Sequence, residues 1–136
     1  MAHALEIGEN GQVAFASLRE PAWHGLGTVF SDPVTTSEML SLAHLDNWNV
    51  RLSDIDLPAR SHKSWFAVVR TNPFDGDDDV LGVVGQRYRV IQNEDLFTFG
   101  DALLDGGRWE TAGSIRNGTM VFGSLALEHE TRLDPN

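Results

Sequence analysis

The sequence predicts an α+β fold: one antiparallel sheet of about five strands with helices on one face, in the order α-β-β-β-α-β-β, behind an irregular N-terminal arm. Three observations predict it. Between Val80 and Leu104 a β-rich run, Val80, Leu81, Val83, Val84, Tyr88, Val90 and Ile91, passes into residues of helical period. Near the end, Asn117-Gly118 separates two β-prone runs, the strongest short hairpin signal, because both residues tolerate positive φ. Thr35 and Glu38 stand at capping-box spacing before a short apolar stripe.

Taken in order, residues 1–34 have no sustained period and read as an arm with one short strand at Val13–Ser17. The arm contains Pro21-Ala22-Trp23-His24-Gly25-Leu26-Gly27-Thr28, which reads as a segment pinned by its indole or as a binding loop. Residues 35–127 read as a single domain. Its first helix buries Met39, Leu42 and Ala43 and ends at Asp46-Asn47. Trp48–Leu57 begins with strict alternation and reads as a half-buried strand, and Ser64–Arg70, apolar on both faces, as a central one. Gly82 and Gly85 mark a bend or close neighbour in the third strand. The second helix starts at Asn93 as its cap, carries Glu94 and Asp95 in its first turn, presents Leu96, Phe99, Gly100, Leu103 and Leu104 to the core, and stops at Gly106-Gly107. Arg108–Ile115 and Thr119–Leu127 form the closing hairpin, and residues 128–136 are a polar tail.

Composition excludes several classes. The chain has 136 residues and no cysteine, so disulfides, thiolate metal sites and cysteine nucleophiles are ruled out. No apolar run approaches the roughly 18 residues of a spanning helix, and the N-terminus lacks the layout of a signal peptide, so a soluble protein of the cytoplasm without a membrane partner is expected. Ten basic residues, nine of them arginine, face 20 acidic ones, for a formal charge of −10, which disfavours indiscriminate attraction to phosphate or anionic lipid. Locally the balance reverses between Val50 and Arg70, where Arg51, Arg60, Lys63 and Arg70 stand against Asp54 and Asp56.

A search for chemistry finds no catalytic residue, cofactor motif or metal site. The acid run Asp75, Asp77, Asp78, Asp79 fails as a calcium loop, with Val80 where a glycine is needed and Gln86 where a bidentate glutamate should stand. The histidines have no ligand spacing, and neither a nucleophile elbow nor a phosphate-cradling loop is present. Strand alternation sets Arg87 and Arg89 on one face, opposite Gln86, Tyr88 and Val90. If neighbouring strands pair, Arg51, Arg70, Arg87 and Arg89 share one sheet with Trp65, Phe66 and Tyr88 nearby, an arrangement suited to phosphates and unstacked bases. The alternative is that these arginines pair with the surplus acids.

Four blocks in order, Trp23-His24-Gly25-Leu26-Gly27, Trp65–Arg70, Leu81–Tyr88 with Gln92-Asn93, and Glu110-Thr111-Ala112-Gly113-Ser114, resemble the phage/plasmid-like protein family, a domain of unknown function of bacteriophage and plasmid genomes. The resemblance implies a mobile-element protein of the bacterial cytoplasm. It brings no catalytic residues, and because members continue past the hairpin, it implies that this chain corresponds to the family's N-terminal portion. The element order is also similar to the core of single-strand annealing proteins, an analogy of fold alone. The leading expectation is a non-enzymatic accessory protein whose Arg51, Arg70, Arg87 and Arg89 hold phosphates while Trp65 and Tyr88 stack on bases, as a homo-oligomer, in replication or recombination. The second is an acidic module that engages a host or phage protein as inhibitor or assembly factor. A magnesium-dependent nuclease built on Asp54, Asp56 and Glu110 ranks below both.

Overall fold

The computed structural model describes residues 5–18, 26–101 and 107–127. Its elements are β1 (Phe15–Leu18), β2 (Thr28–Phe30), α1 (Thr36–Leu42), β3 (Arg51–Asp54), β4 (Trp65–Thr71), β5 (Asp78–Gly85), α2 (Asn93–Asp101), β6 (Gly107–Ile115), a 3-10 turn (Arg116–Gly118) and β7 (Met120–Leu127). The class is α+β, as expected, but the strands form two sheets. One has the order β2-β1-β6-β7 and the other β3-β4-β5. All pairings are antiparallel except β1 with β2.

The stretch read as an irregular arm is built into the larger sheet. β1 pairs through Phe15↔Gly113 and Ser17↔Thr111 with β6, so it lies inside the sheet rather than beside it. The preceding segment bridges Leu5 to Ile115 and Ile7 to Val13, and Leu5, Val13 and Phe15 close a small apolar cluster on one side. The main core gathers both sheets and both helices, from Ala16 and Phe30 through Met39, Leu40, Trp48 and Val68 to Phe97 and Trp109. Trp23 and His24, the second helix's Leu103 and Leu104, its expected stop at Gly106 and the tail 128–136 lie outside the described residues.

Helix α1 follows its local signals. Thr35 Oγ1 accepts from the Glu38 amide at 3.1 Å and Glu38 Oε1 accepts from the Thr35 amide at 3.0 Å, the reciprocal box that the spacing predicts. These bonds hold the Glu38 carboxyl below its ordinary pKa, the backbone amide of Thr35 contributing most. The strand after it starts later than Trp48: Asn47 and Asn49 have φ of 60° and 47°, a left-handed conformation that breaks an extended run. Trp48 is instead a buried plug whose Nε1 donates to the His44 carbonyl at 2.9 Å.

Helix α2 corrects two expectations. Gln92 caps it, its carbonyl accepting from Leu96 while the Asp95 carboxylate accepts from the Gln92 amide, and Asn93 is a buried strut that donates to the Leu45 carbonyl at 2.8 Å. The buried stripe is Asn93, Phe97 and Gly100, which leaves Leu96 and Phe99 outside. Close packing selects this phase: a Cβ at residue 100 would lie 2.8 Å from Trp109 Cη2, and Phe97 stacks on the same indole at 4.9 Å. The closing hairpin forms as expected, although its loop runs through three successive positive φ values, at Arg116, Asn117 and Gly118. No helix among the described residues is long and apolar enough to cross a membrane.

Candidate nucleic-acid interface

The shared trough of arginines does not form. Arg70, on the central strand β4, has no solvent exposure. Its guanidinium forms a two-armed ion pair with Glu6, itself only 4% exposed, and donates Nε to Asp79 at 3.1 Å. It lies 4.3 Å from the Trp48 ring centroid and packs under Gly118 of the hairpin turn. Burial alone would lower its pKa, but the hydrogen bonds and charges of Glu6 and Asp79 outweigh that and hold it above the ordinary value. A side chain so enclosed cannot reach a phosphate. Arg51 is engaged as well, 2.7 Å from Asp78, with Nη1 donating to the Asn49 carbonyl at 3.0 Å.

The two remaining arginines are not on a strand. β5 ends at Gly85, whose carbonyl accepts from the Tyr88 amide, so Gln86 and Arg87 form a turn and Arg89 follows in irregular chain. Strand alternation therefore does not pair Arg87 with Arg89. The register Trp65↔Gly85 instead brings that turn beside the loop preceding β4. There His62, Lys63, Ser64, Trp65, Gln86 and Arg87 line an open cleft of about 530 Å³. Ser61 Oγ donates to the Lys63 carbonyl at 2.9 Å and accepts from the Lys63 amide, which fixes the backbone that carries the lysine. Trp65 is 39% exposed, and Lys63, Arg87 and Arg89 are exposed and make no ion pair among the described residues.

Of the expected residues, then, Trp65 and Arg87 share a cleft. Arg89 is exposed outside it, and Tyr88 faces a different depression with Ile91 and Leu96. Lys63 belongs to the site although strand alternation did not select it: it lies in a loop, and its place two residues before Trp65 was the available signal.

The three-stranded sheet is consequently polar along its length. Lys63, Arg87 and Arg89 sit at one end, with exposed Asp54 at the end of β3 as the nearest acid on the sheet, and Asp75, Asp77 and Asp78 sit at the other. The acidic turn is organised by Asn72, whose Oδ1 accepts from the Phe74 amide at 2.8 Å, and by Asp75, whose Oδ1 accepts from the Asp77 amide at 2.8 Å. Asp54 and Glu110 lie on strands of different sheets, and no group of three acids and histidines among the described residues could hold a metal ion.

Residues 80–136 are similar to the family described as Domain of unknown function (DUF932). The likeness covers the C-terminal part of the chain, so the Leu81, Gln92 and Glu110 blocks fall inside it and the Trp23 and Trp65 blocks do not. No curated protein and no solved structure matches the chain at a significant level.

Proposed function

We propose that this chain is a non-enzymatic accessory protein of a phage or plasmid, acting in the bacterial cytoplasm, that holds single-stranded nucleic acid at the basic end of its three-stranded sheet in replication or recombination. The observation that carries the reading is the cleft in which the half-exposed indole of Trp65 lies with Lys63 and Arg87, two cations without a carboxylate partner among the described residues. Stacking on an aromatic ring beside cations that follow the backbone is how unpaired strands are held without regard to sequence. The acidic pole at the far end of the sheet would orient the approach, repelling a strand that arrives there. Arg70 and Arg51 contribute nothing to this surface, and Arg89 adds long-range attraction only.

Fluorescence anisotropy with a labelled oligothymidine tests it. Two or three phosphate contacts give a log-log salt slope of roughly −1.4 to −2, and Trp65→Ala should weaken binding by about 1–3 kcal/mol. Lack of binding at low salt, or binding indifferent to Trp65→Ala and Arg87→Ala, refutes the proposal.

A second reading has one observation in its favour: Asp75, Asp77 and Asp78 stand exposed on a turn stiffened by side-chain hydrogen bonds, a surface suited to a basic host or phage protein. Stoichiometric capture of one protein that is lost with Asp75→Asn/Asp77→Asn would favour it.

A further inference from the structure

Strand β7 is an edge without the usual protection. It closes the four-stranded sheet and, among the described residues, pairs with β6 alone, so one row of its amides and carbonyls lacks a strand partner. Edge strands are ordinarily short, charged or interrupted by proline, which keeps them from pairing with other chains. β7 has none of these features. Its eight residues, Met120-Val121-Phe122-Gly123-Ser124-Leu125-Ala126-Leu127, carry no charge and no proline. The other edges differ: β2 has three residues, β3 carries Arg51 and Asp54, and β5 begins with Asp78-Asp79.

Beside this edge lies apolar surface that no described residue covers. Leu96 and Phe99 of α2, the pair excluded from the core by the helix phase, line a depression of about 240 Å³ with Val121, Gly123 and Leu125 of β7. Phe99 is 74% exposed, a large ring in water at the rim of an edge strand.

We infer that β7 and the Leu96/Phe99 flank of α2 form an interface with a second copy of this chain, the two β7 strands pairing antiparallel about a two-fold axis. Charge selects this occupant. Each copy carries a formal charge of −10, so most apposed surfaces set acid against acid, whereas an uncharged strand can face its own image without repulsion. A two-fold axis perpendicular to the sheet joins the two four-stranded sheets into one, places both α2 helices on the same face, and turns Leu96 and Phe99 of each copy toward those of the other. The first turn of α2 carries Glu94 and Asp95, so some repulsion remains at the rim of the interface. Salt should therefore strengthen the dimer, the opposite of its effect on nucleic-acid binding.

The test is the mass in solution by light scattering or sedimentation, at roughly 0.1 mM protein, where an interaction of micromolar strength is saturated. Expected is a species of twice the 15.0 kDa chain mass, favoured by added salt, which Phe99→Glu converts to a monomer with an unchanged circular dichroism spectrum. Slow amide exchange along β7 in the wild type, lost in Phe99→Glu, would place the contact on the strand. A wild type that is monomeric at high salt overturns the inference, and so does a dimer that Phe99→Glu leaves intact. A monomer with slowly exchanging β7 amides also overturns it, since the chain's own residues then cover the edge. Loss of nucleic-acid binding leaves this result untouched, because Trp65 lies on the other sheet and Lys63 and Arg87 in the loop and turn at that sheet's end.

Discussion

Substitution of Arg70 by methionine keeps most of the side-chain length and removes the charge. What remains is a Glu6 carboxylate, 4% exposed, with only the Ser114 hydroxyl at 3.3 Å among the described residues to satisfy it, and an Asp79 carboxylate that keeps Asn72 Nδ2 at 2.9 Å and partial contact with water. Breaking a buried pair by removing one partner costs about 3–5 kcal/mol, a large share of the roughly 5–15 kcal/mol that holds a domain folded. Glu6→Leu should cost less, because the guanidinium loses one carboxylate but keeps Asp79 at 3.0–3.1 Å. The pair Glu6→Leu/Arg70→Met leaves no buried Glu6 carboxylate unpaired and should cost no more than Arg70→Met alone, a coupling within the roughly 0.5–3 kcal/mol of residues in contact. Urea unfolding followed by tryptophan emission is the assay, and Trp48, stacked on the guanidinium, reports on the site directly. Arg70→Met within about 1 kcal/mol of the wild type, or single losses that add in the double variant, would refute the claim that the enclosed Glu6–Arg70 pair is coupled and stabilises the fold.

Two further outcomes are expected. Thr36 Oγ1 accepts from Trp109 Nε1 at 2.8 Å and donates to Asp101, so Thr36→Val leaves a buried indole N–H unpaired and should lower stability by about 1–3 kcal/mol, read from the urea midpoint at constant m-value. The capping box gives a pH signature: Glu38 has a lowered pKa in the folded chain, so its contribution is complete above the unfolded carboxylate value of about 4.3 and fades as pH falls through the lower folded value. The difference in melting temperature between wild type and Glu38→Gln should therefore shrink on acidification, and a constant difference would contradict that account.

Local signals are legible in the sequence because they act over a few residues. The Thr35–Glu38 box, the central strand at Trp65 and the Asn117-Gly118 reversal each form where the sequence places them. The phase of α2 was not legible, since Leu96/Phe99 and Phe97/Gly100 are both helically spaced, and the choice is made by Trp109, on a distant strand. The division into two sheets depends on β1 finding β6 across most of the chain. The burial of Arg70 is illegible for the same reason: nothing near it in sequence announces that Glu6, 64 positions earlier, encloses it. At the candidate cleft, Trp65 and Arg87 were identifiable by residue type, but their meeting depends on the turn after Gly85, which an unbroken alternating pattern concealed.

The insertion of β1 between β2 and β6 bears on how the molecule is made. On the ribosome, the meander β3-β4-β5 can pair as soon as it emerges, whereas β1, made before it, must wait for β6, made after it, before its inner flank is closed. A nascent chain arrested before β6 would hold a finished small sheet and an orphaned amino end with Glu6 searching for its place, the species that a chaperone would meet.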